Sequence, residues 1–392
     1  MTSLFEPLTL RGLTLPNRAW VSPMCQYTSV DGLANSWHLV HLGSFAIGRA
    51  GLILTEATAV TPEGRISPED LGLWSDAHAE ALAPVVEFVQ GQGVAIGIQL
   101  AHAGRKASTF APWRGHDSVP RDQGGWLALA PSATAFGRYA APQAMTHVDL
   151  ARTRDAFVDA TLRALALGVD TVELHFAHGY LMHEFLSPLS NLRDDDYGGS
   201  LANRMRYPLE VVDAVRAVWS DDRPLLMRVS ASDWVEGGWD VDQAIALAGE
   251  LKVRGCDWID CSSGGVAPAR QKITLGPGYQ VAFSRAIRRA VPGLPTIAVG
   301  LITDPHQAEN IIAEGDADLV ALARGMLYDP RWPWHAAAVL DASVSAPHQY
   351  WRSPPREYPD LLGKIRFGSV IIPTAAVGTP VAARTRAAKG TR

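Results

Sequence analysis

The sequence predicts an α/β fold, a (β/α)8 TIM barrel of eight parallel strands alternating with helices. Eight short apolar segments predict the strands, because each is too short for a typical helix and is apolar throughout, as in strands buried on both faces. Stretches with helical spacing lie between them, which is the alternation of a barrel. The segments are 19–23, 51–57, 94–100, 170–176, 225–230, 257–263, 296–300 and 318–324.

A second observation concerns the carboxyl ends of these segments, where polar residues collect. In a parallel barrel all of these ends open on one face, where the βα loops form the active site. The pattern therefore predicts an enzyme. The residues are Ser22, Cys25, Glu56, Gln99, His102, His175, His178, Arg228, Ser262, Ser263, Gly300 and Arg324.

The predicted helices are illustrated by residues 149–168. Leu150, Phe157 and Thr161 recur at helical spacing, together with residues 164 and 165. We expect Asp149 to be the N-cap and Gly168 to end the helix, as glycine often does. Residues 240–255 and 280–293 have the same pattern.

Two segments exceed a minimal barrel. Residues 102–148, rich in Pro, Gly and Trp, form a long insertion after strand three, and we expect a lid or binding loop there. The composition predicts a single barrel domain over residues 1–360 and a C-terminal extension over residues 361–392, partly disordered.

Composition excludes several classes of protein. The 392 residues are 47% hydrophobic with a net charge of −5, which favours neither nucleic acid nor an anionic membrane as a partner. Three cysteines argue against a disulfide framework. The N-terminal residues lack a secretion-signal pattern and no apolar run reaches membrane-spanning length, so we expect a cytoplasmic protein.

The segment "VELHFAHGYLMHEFLSP" (172–188) carries three histidines, a tyrosine and a glutamate within ten residues. A metal site is one interpretation, but the HExxH motif is absent and Ser22-Pro23-Met24 stands where barrel metallohydrolases carry His-x-His. Structural histidines are another. The interpretation we favour makes His175 and His178 two donors to an oxygen that becomes negative, with Tyr180 as proton donor.

Other segments leave alternatives open. Cys25 is either a packed cysteine or a thiol touching a cofactor, with Tyr27 directed at a ligand. Gln99 is expected at the barrel mouth. Arg228 is either paired with a carboxylate such as Glu56 or placed to stabilise negative charge on a cofactor. Residues 299–303 and 321–330, with Arg324, match the phosphate site of many barrels.

Two longer segments, "LFEPLTLRGLTLPNRAWVSPMCQY" (4–27) and "HFAHGYLMHEFLSPLSNLRDDDYGGSLANRMRYPLE" (175–210), resemble the old yellow enzyme family of FMN-dependent ene-reductases. The resemblance extends to "PHQYWR", ending at residue 352, and is to the branch with cysteine in the first loop. It implies an FMN-binding barrel that takes hydride from NADPH or NADH. The enzyme would then reduce the C=C bond of enones, enals, maleimides or nitroalkenes by a ping-pong mechanism.

The resemblance also implies residue roles. His175 and His178 would hold the substrate oxygen, Tyr180 would donate the proton, and Arg228 would lie by the N1/O2 edge of the flavin. Further substrate contacts would come from Tyr27, Lys106, Trp351 and Arg352, the last from a neighbouring subunit of a homodimer or homotetramer. The remaining flavin and phosphate contacts would be Ser22, Pro23, Met24, Cys25, Ala57, Gln99, Gly300, Ala323 and Arg324.

Two positions of the sequence depart from the family pattern. Ala202 stands where glutamate is usual, and Ala323 replaces a common glycine but keeps its backbone amide. The rivals are a metal-dependent barrel hydrolase using His175, His178 and His183, and a non-catalytic flavin-binding or interaction protein.

Overall fold

The computed structural model describes residues 2–268 and 273–363, and it confirms the predicted barrel. The strands are β1 (Leu8–Leu10), β2 (Leu13–Leu15), β3 (Ala19–Val21), β4 (Leu52–Ala59), β5 (Ala95–Ala101), β6 (Leu129–Ala130), β7 (Gln143–Ala144), β8 (Thr171–Phe176), β9 (Leu225–Ser230), β10 (Trp258–Ser262), β11 (Thr296–Val299) and β12 (Leu319–Leu322). Eight of them close a barrel in the order β10-β11-β12-β3-β4-β5-β8-β9. Every ladder of this barrel is parallel.

Helices follow the barrel strands. They are α1 (Ser36–Ile47), α2 (Asp76–Gly91), α3 (His147–Leu167), α4 (Leu181–Leu186), α5 (Leu201–Val218), α6 (Val241–Val253), α7 (Val281–Ala290), α8 (Pro305–Ala313), α9 (Arg324–Tyr328) and α10 (Trp332–Val339). Their apolar faces pack on the outward side chains of the strands, such as Val172, Leu174 and Phe176 of β8, to form the main core. No helix in the described part of the chain is long and apolar enough to cross a membrane.

The predicted N-cap of α3 is wrong by three residues. Thr146 is the cap, and its hydroxyl accepts a hydrogen bond from the Asp149 amide. Asp149 completes a capping box, since its carboxylate accepts from the Thr146 amide at 2.9 Å. Gly168 ends the helix as predicted, with a left-handed φ of 83°.

The amino-terminal end of the barrel is closed by the β1–β2 hairpin. Leu15 and its neighbours in the hairpin pack on the lowest inward layer of barrel side chains. Trp20 and Trp258 meet edge to face in that layer, with 5.0 Å between ring centroids. The layer also contains Leu52, Leu54, Leu226, Ile297 and Leu319. Because this end is filled with apolar side chains, the carboxyl ends of the strands are the face left for a site.

The insertion after β5 ends at residue 146, where α3 begins. It contains the short β6–β7 pair, and Ala103, Ala107 and Ala128 form a small cluster against Tyr180. The insertion therefore covers the turn after β8. At the other end of the chain, Leu361 and Leu362 are buried near Trp334. The rest of the predicted C-terminal extension, residues 364–392, lies outside the described residues.

Candidate active site

His175 and His178 lie together at the carboxyl end of β8. Alternation along β8 turns His175 into the barrel, and the turn that follows gives His178 a left-handed φ of 61°. This turn packs tightly on the loop after β10, because a Cβ at Gly265 would lie 2.4 Å from the backbone of His178. The His178 amide donates to the Ser230 hydroxyl at 2.9 Å, which helps to fix the turn.

The two imidazoles form a paired group. Nδ1 of His178 lies 3.4 Å from Nε2 of His175, and Nε2 of His178 lies 2.7 Å from the Ser262 hydroxyl. Removal from water, and then the positive charge of Arg228, lower the pKa of both histidines well below the ordinary value. Both rings are therefore neutral near pH 7 and can donate one ring N–H each.

Tyr180 stands beside this pair as the cap residue of α4. Its ring centroid is 5.1 Å from that of His175. Burial raises the pKa of the Tyr180 phenol well above its ordinary value of 10.0. The phenol keeps its proton at neutral pH and is available as a donor.

Lys106 supports the same turn from the insertion. Its ammonium donates to the carbonyl oxygens of His178 at 2.8 Å and Gly265 at 3.2 Å, and lies 4.9 Å from the Tyr180 ring centroid. Burial lowers the pKa of Lys106 to about 8. In this arrangement the lysine ties two loops together, and its predicted contact with substrate stays a prediction.

His183 and Glu184 are buried in α4 and contact other parts of the protein rather than the His175–His178 pair. Nε2 of His183 lies 2.9 Å from Oδ1 of Asp233, with both side chains fully buried. Glu184 accepts from the Arg105 amide at 2.9 Å, and burial raises its pKa to about 8. His183 is thus separated in role from the His175–His178 pair. Across the described ranges, no group of three or more His, Cys, Asp or Glu side chains is arranged to hold a metal ion.

The loop after β3 carries Cys25 and Tyr27. Burial, with the charges of Asp70 and Glu56, raises the pKa of the Cys25 thiol well above its ordinary value, so the thiol stays protonated. Tyr27 has a φ of 53°, and its ring meets Trp113 of the insertion edge to face at 5.4 Å. Burial also raises the pKa of the Tyr27 phenol.

Glu56 anchors this loop, a role that the sequence did not reveal. One carboxylate oxygen accepts from the Gln26 amide, between Cys25 and Tyr27, at 2.9 Å. The other lies 3.2 Å from Nε2 of His38, and both side chains are buried. Arg228 therefore does not pair with Glu56, the partner considered from the sequence.

Arg228 pairs with Asp260 instead. Nε of Arg228 lies 3.1 Å from Oδ2 of Asp260, its neighbour across the β9–β10 ladder. On the other side of β9, Gln99 donates to Glu173 at 2.6 Å. Period-two alternation could have shown that Glu173 and Asp260 face inward, because His175 and Ser262 lie two residues further along the same strands.

A cavity of about 190 Å³ opens at the carboxyl ends of β9 to β12. Gly300 has a φ of 126°, and a Cβ there would lie 2.9 Å from Nε2 of Gln280. The backbone of Ala323 and Arg324 begins α9 at the cavity wall. The lining residues include His178, Arg228, Ser262, Tyr279, Gln280, Gly300, Ala323, Arg324 and Gly325.

These features fit the FMN that the resemblance implies. The barrel mouth presents buried polar atoms without protein hydrogen-bond partners, among them Ser22 Oγ and His175 Nδ1. Such atoms are costly unless a ligand satisfies them. Two arginines, Arg228 and Arg324, line the cavity, as an anionic cofactor requires. Ser22 and Met24 line a second small cavity, and Ala57 pairs with Gln99 in the β4–β5 ladder.

Trp351 and Arg352 lie elsewhere in the described chain. Trp351 donates to the Ala346 carbonyl at 2.9 Å, and its ring lies 4.3 Å from that of His348. Arg352 is exposed. Both belong to the C-terminal segment beyond α10, so their predicted role depends on a neighbouring subunit and stays a prediction.

A closed eight-stranded parallel barrel with a cationic, glycine-containing cavity at its carboxyl end is typical of a TIM-barrel enzyme that binds a phosphate-bearing cofactor. The chain belongs to the NADH:flavin oxidoreductase / NADH oxidase family, whose model matches residues 3–342. It is therefore an FMN-dependent oxidoreductase that uses NAD(P)H. This confirms the predicted ene-reductase class and cofactors, and gives no support to the metal-dependent hydrolase.

Curated relatives agree with this assignment. The NADPH dehydrogenase of Geobacillus thermodenitrificans is 49% identical over 354 residues, covering 90% of this chain and 98% of the relative. That of Bacillus subtilis is 46% identical over 352 residues, covering 89% and 98%. Among solved structures, morphinone reductase has a TM-score of 0.73 at 29% identity, covering 92% of this chain and 96% of its own. Its complex with tetrahydroNAD gives a TM-score of 0.72 at 29% identity, covering 91% and 96%.

Proposed function

We propose that this enzyme reduces the C=C bond of enones, enals, maleimides or nitroalkenes at the His175–His178 pair. The observation that carries the proposal is the 3.4 Å contact between Nδ1 of His178 and Nε2 of His175, with the Tyr180 ring 5.1 Å from that of His175. Ring N–H donors of two adjacent neutral imidazoles can stabilise the negative charge that develops on a carbonyl or nitro oxygen bound beside them. Because the rings are already neutral donors, no proton has to move before the oxygen binds.

Each residue has a separable task. Bound FMN supplies hydride transfer, from NAD(P)H and then to the β-carbon of the alkene. His175 and His178 hold the substrate oxygen, so that the alkene is polarised and oriented. Tyr180 gives its phenolic proton to the α-carbon, and solvent then restores that proton. The tie from Lys106 to the His178 carbonyl keeps the donor turn in place.

The proposed cofactor contacts follow from positions at the mouth. Arg228 would meet the edge of the flavin that becomes more negative on reduction, and Gly300, Ala323 and Arg324 would hold the phosphate. Support comes from the cavity that these four residues share. The other proposed contacts are Ser22, Pro23, Met24, Cys25, Ala57 and Gln99.

We further propose a cytoplasmic homodimer or homotetramer in which Arg352, and Trp351 beside it, complete the neighbouring site. The support is that Arg352 is exposed and lies outside the barrel. Arg352→Ala should leave flavin content unchanged and weaken substrate binding, while light scattering should report more than one subunit. A monomer with full activity would contradict this assembly.

The proposed reaction is tested in two stages. The purified protein should contain FMN, and anaerobic mixing with NADPH should bleach its absorbance. Adding 2-cyclohexenone should then restore the oxidised spectrum and yield cyclohexanone. A flavin that bleaches but is not reoxidised by enones, maleimides or nitroalkenes would exclude the substrate class while leaving the oxidoreductase assignment intact.

A further inference from the structure

A polar layer crosses the inside of the barrel between the apolar plug and the active site. We define it as Gln99, Glu173, Arg228 and Asp260, one residue from each of β5, β8, β9 and β10. Their neighbours Ile98, Leu174, Met227 and Ile259 belong to the outer core, so alternation turns the four polar side chains inward. Below them lie Trp258 and Leu226 of the plug.

The layer consists of two contacts. Gln99 Nε2 donates to Glu173 Oε1 at 2.6 Å. Arg228 Nε lies 3.1 Å from Asp260 Oδ2. Glu173 Oε2 and Asp260 Oδ1, the second oxygen of each carboxyl group, are buried without a partner. A fully ionised carboxylate would leave these lone pairs unsatisfied at high cost.

The polar layer contains two carboxyl groups and one guanidinium, so one carboxyl group must bind a proton if the layer is to be neutral. Glu173 is 0%, Asp260 1% and Arg228 6% exposed. Three groups on neighbouring strands face Glu173: Gln99 on β5, Arg228 on β9 and Asp260 on β10. The other groups nearby are the neutral His175, which is on β8 like Glu173, and the thiol of Cys256, which precedes β10. Two carboxylates thus share one cation in a site closed to water. Buried carboxyl groups that outnumber their cations retain a proton.

The contacts indicate which group keeps it. Burial raises the pKa of Asp260 as well, but Asp260 contacts the guanidinium of Arg228, whose charge lowers that pKa, so Asp260 is the acid that stays charged. Glu173 touches a neutral amide that donates to it. Burial, and then the charge of Asp260, raise the pKa of Glu173 to about 8.

We propose that Glu173 is a protonated carboxylic acid in the working enzyme. By staying neutral it leaves Arg228 paired with Asp260 alone, and so it influences the flavin reduction potential through Arg228 as a positioning residue. With Glu173 neutral, Arg228 and Asp260 cancel. With Glu173 ionised, the layer would be net negative around Arg228, the residue that would meet the flavin edge that becomes more negative on reduction. Ionisation of Glu173 therefore lowers the reduction potential, and by linkage reduction of the flavin strengthens proton binding by Glu173.

The first test is infrared spectroscopy of the oxidised holoenzyme. The difference between wild type and Glu173→Gln should contain the C=O stretch of a protonated carboxylic acid. Asp260→Asn should abolish the same band although Glu173 is still present, because the freed Arg228 then takes Glu173 as its counter-ion. Absence of the band from the Glu173→Gln difference, or a band unmoved by Asp260→Asn, overturns the proposal.

The second test is the flavin reduction potential from about pH 6 to about pH 10. In wild type the potential should fall more steeply with pH above the Glu173 pKa than below it. Glu173→Gln should remove this change of slope, whereas Glu184→Gln, which removes an equally buried acid outside the layer, should retain it. A merely structural role for Glu173 would alter flavin content or stability but not the slope, and an unchanged slope in Glu173→Gln overturns the proposal.

The proposal rests on FMN binding and not on the roles of His175 and Tyr180. Flavin content of each variant is measured from the FMN released on denaturation. An enzyme that binds FMN and shows the Glu173 band but reduces no alkene would contradict the proposed substrate class alone. An enzyme that reduces alkenes without the band would contradict the Glu173 proposal alone.

Discussion

The Nε2 atom of His178 lies 2.7 Å from the hydroxyl oxygen of Ser262, across the mouth from β8 to β10. This contact fixes the ring of His178 from the side opposite His175. Since the two ring nitrogens have different partners, the orientation of the imidazole depends on a serine that carries no chemistry of its own.

Ser262→Ala should weaken binding of the substrate oxygen. Loss of one hydrogen bond costs about 0.5–1.5 kcal/mol, or roughly a 2- to 12-fold rise in the dissociation constant. Stopped-flow measurement of flavin reoxidation at increasing enone concentration gives this dissociation constant. Ser284→Ala is the matched control, because it also loses buried hydrogen bonds, to Val281 and Asp316, but on α7. An equal rise in both variants would speak against a local effect.

Tyr180→Phe should leave reduction of the flavin by NADPH intact and slow alkene reduction. A positioned proton donor contributes roughly 10²- to 10⁴-fold, and the phenylalanine ring preserves the packing on His175 and the Ala103 cluster. Separate single-turnover measurements of the two half-reactions check this. Alkene reduction at the wild-type rate would remove Tyr180 as the donor.

Glu56→Ala should destabilise the fold by about 3 kcal/mol. It leaves the Gln26 amide without its acceptor and removes the closer partner of buried His38 Nε2, and each such loss costs about 1–3 kcal/mol. Urea unfolding measures the change. Glu80→Ala removes an exposed glutamate of α2 and should change little. Equal unfolding midpoints for wild type and Glu56→Ala would show that the loop does not need this anchor.

Glu184 should make stability depend on pH. Its folded pKa of about 8 exceeds the ordinary value of 4.5, so its contribution is full below about 4.5 and is lost as pH rises through 8. Glu184→Gln mimics the protonated form. Between about pH 5 and about pH 7, wild type should lose about 1–3 kcal/mol relative to the variant, measured by urea unfolding at each pH. Parallel pH profiles for the two proteins would refute a buried neutral Glu184.

The barrel was predictable because continuous apolar runs are a strong local signal of strands buried on both faces. The β1–β2 hairpin was not, since its three-residue strands alternate Leu and Thr too briefly to stand out. The α3 cap was misplaced because Asp149 and Thr146 are both good capping residues. Only the backbone shows that the helix begins at His147.

The catalytic candidates were predictable because His175, His178 and Tyr180 lie within six residues of one segment. Ser262, Glu173 and Asp260 depend on strand register and were not assigned roles. The partner of Arg228 was missed for the same reason, since Asp260 is its neighbour only after β9 and β10 pair. The anchoring role of Glu56 could be seen only in the structure, because Gln26 and His38, which it contacts, are far from it in sequence.

The β1–β2 hairpin closes the barrel at its amino-terminal end, which lies opposite the candidate active site. Among the described residues, an apolar cluster lies on one side of the polar layer and the mouth on the other, so a cofactor bound at the mouth would cover the layer. Residues 8–15 thereby thicken the apolar barrier between solvent and the carboxyl groups of Glu173 and Asp260. Without the hairpin, the apolar layer around Trp20 and Trp258 would face water directly, and the proton held by Glu173 would be more open to exchange with bulk solvent.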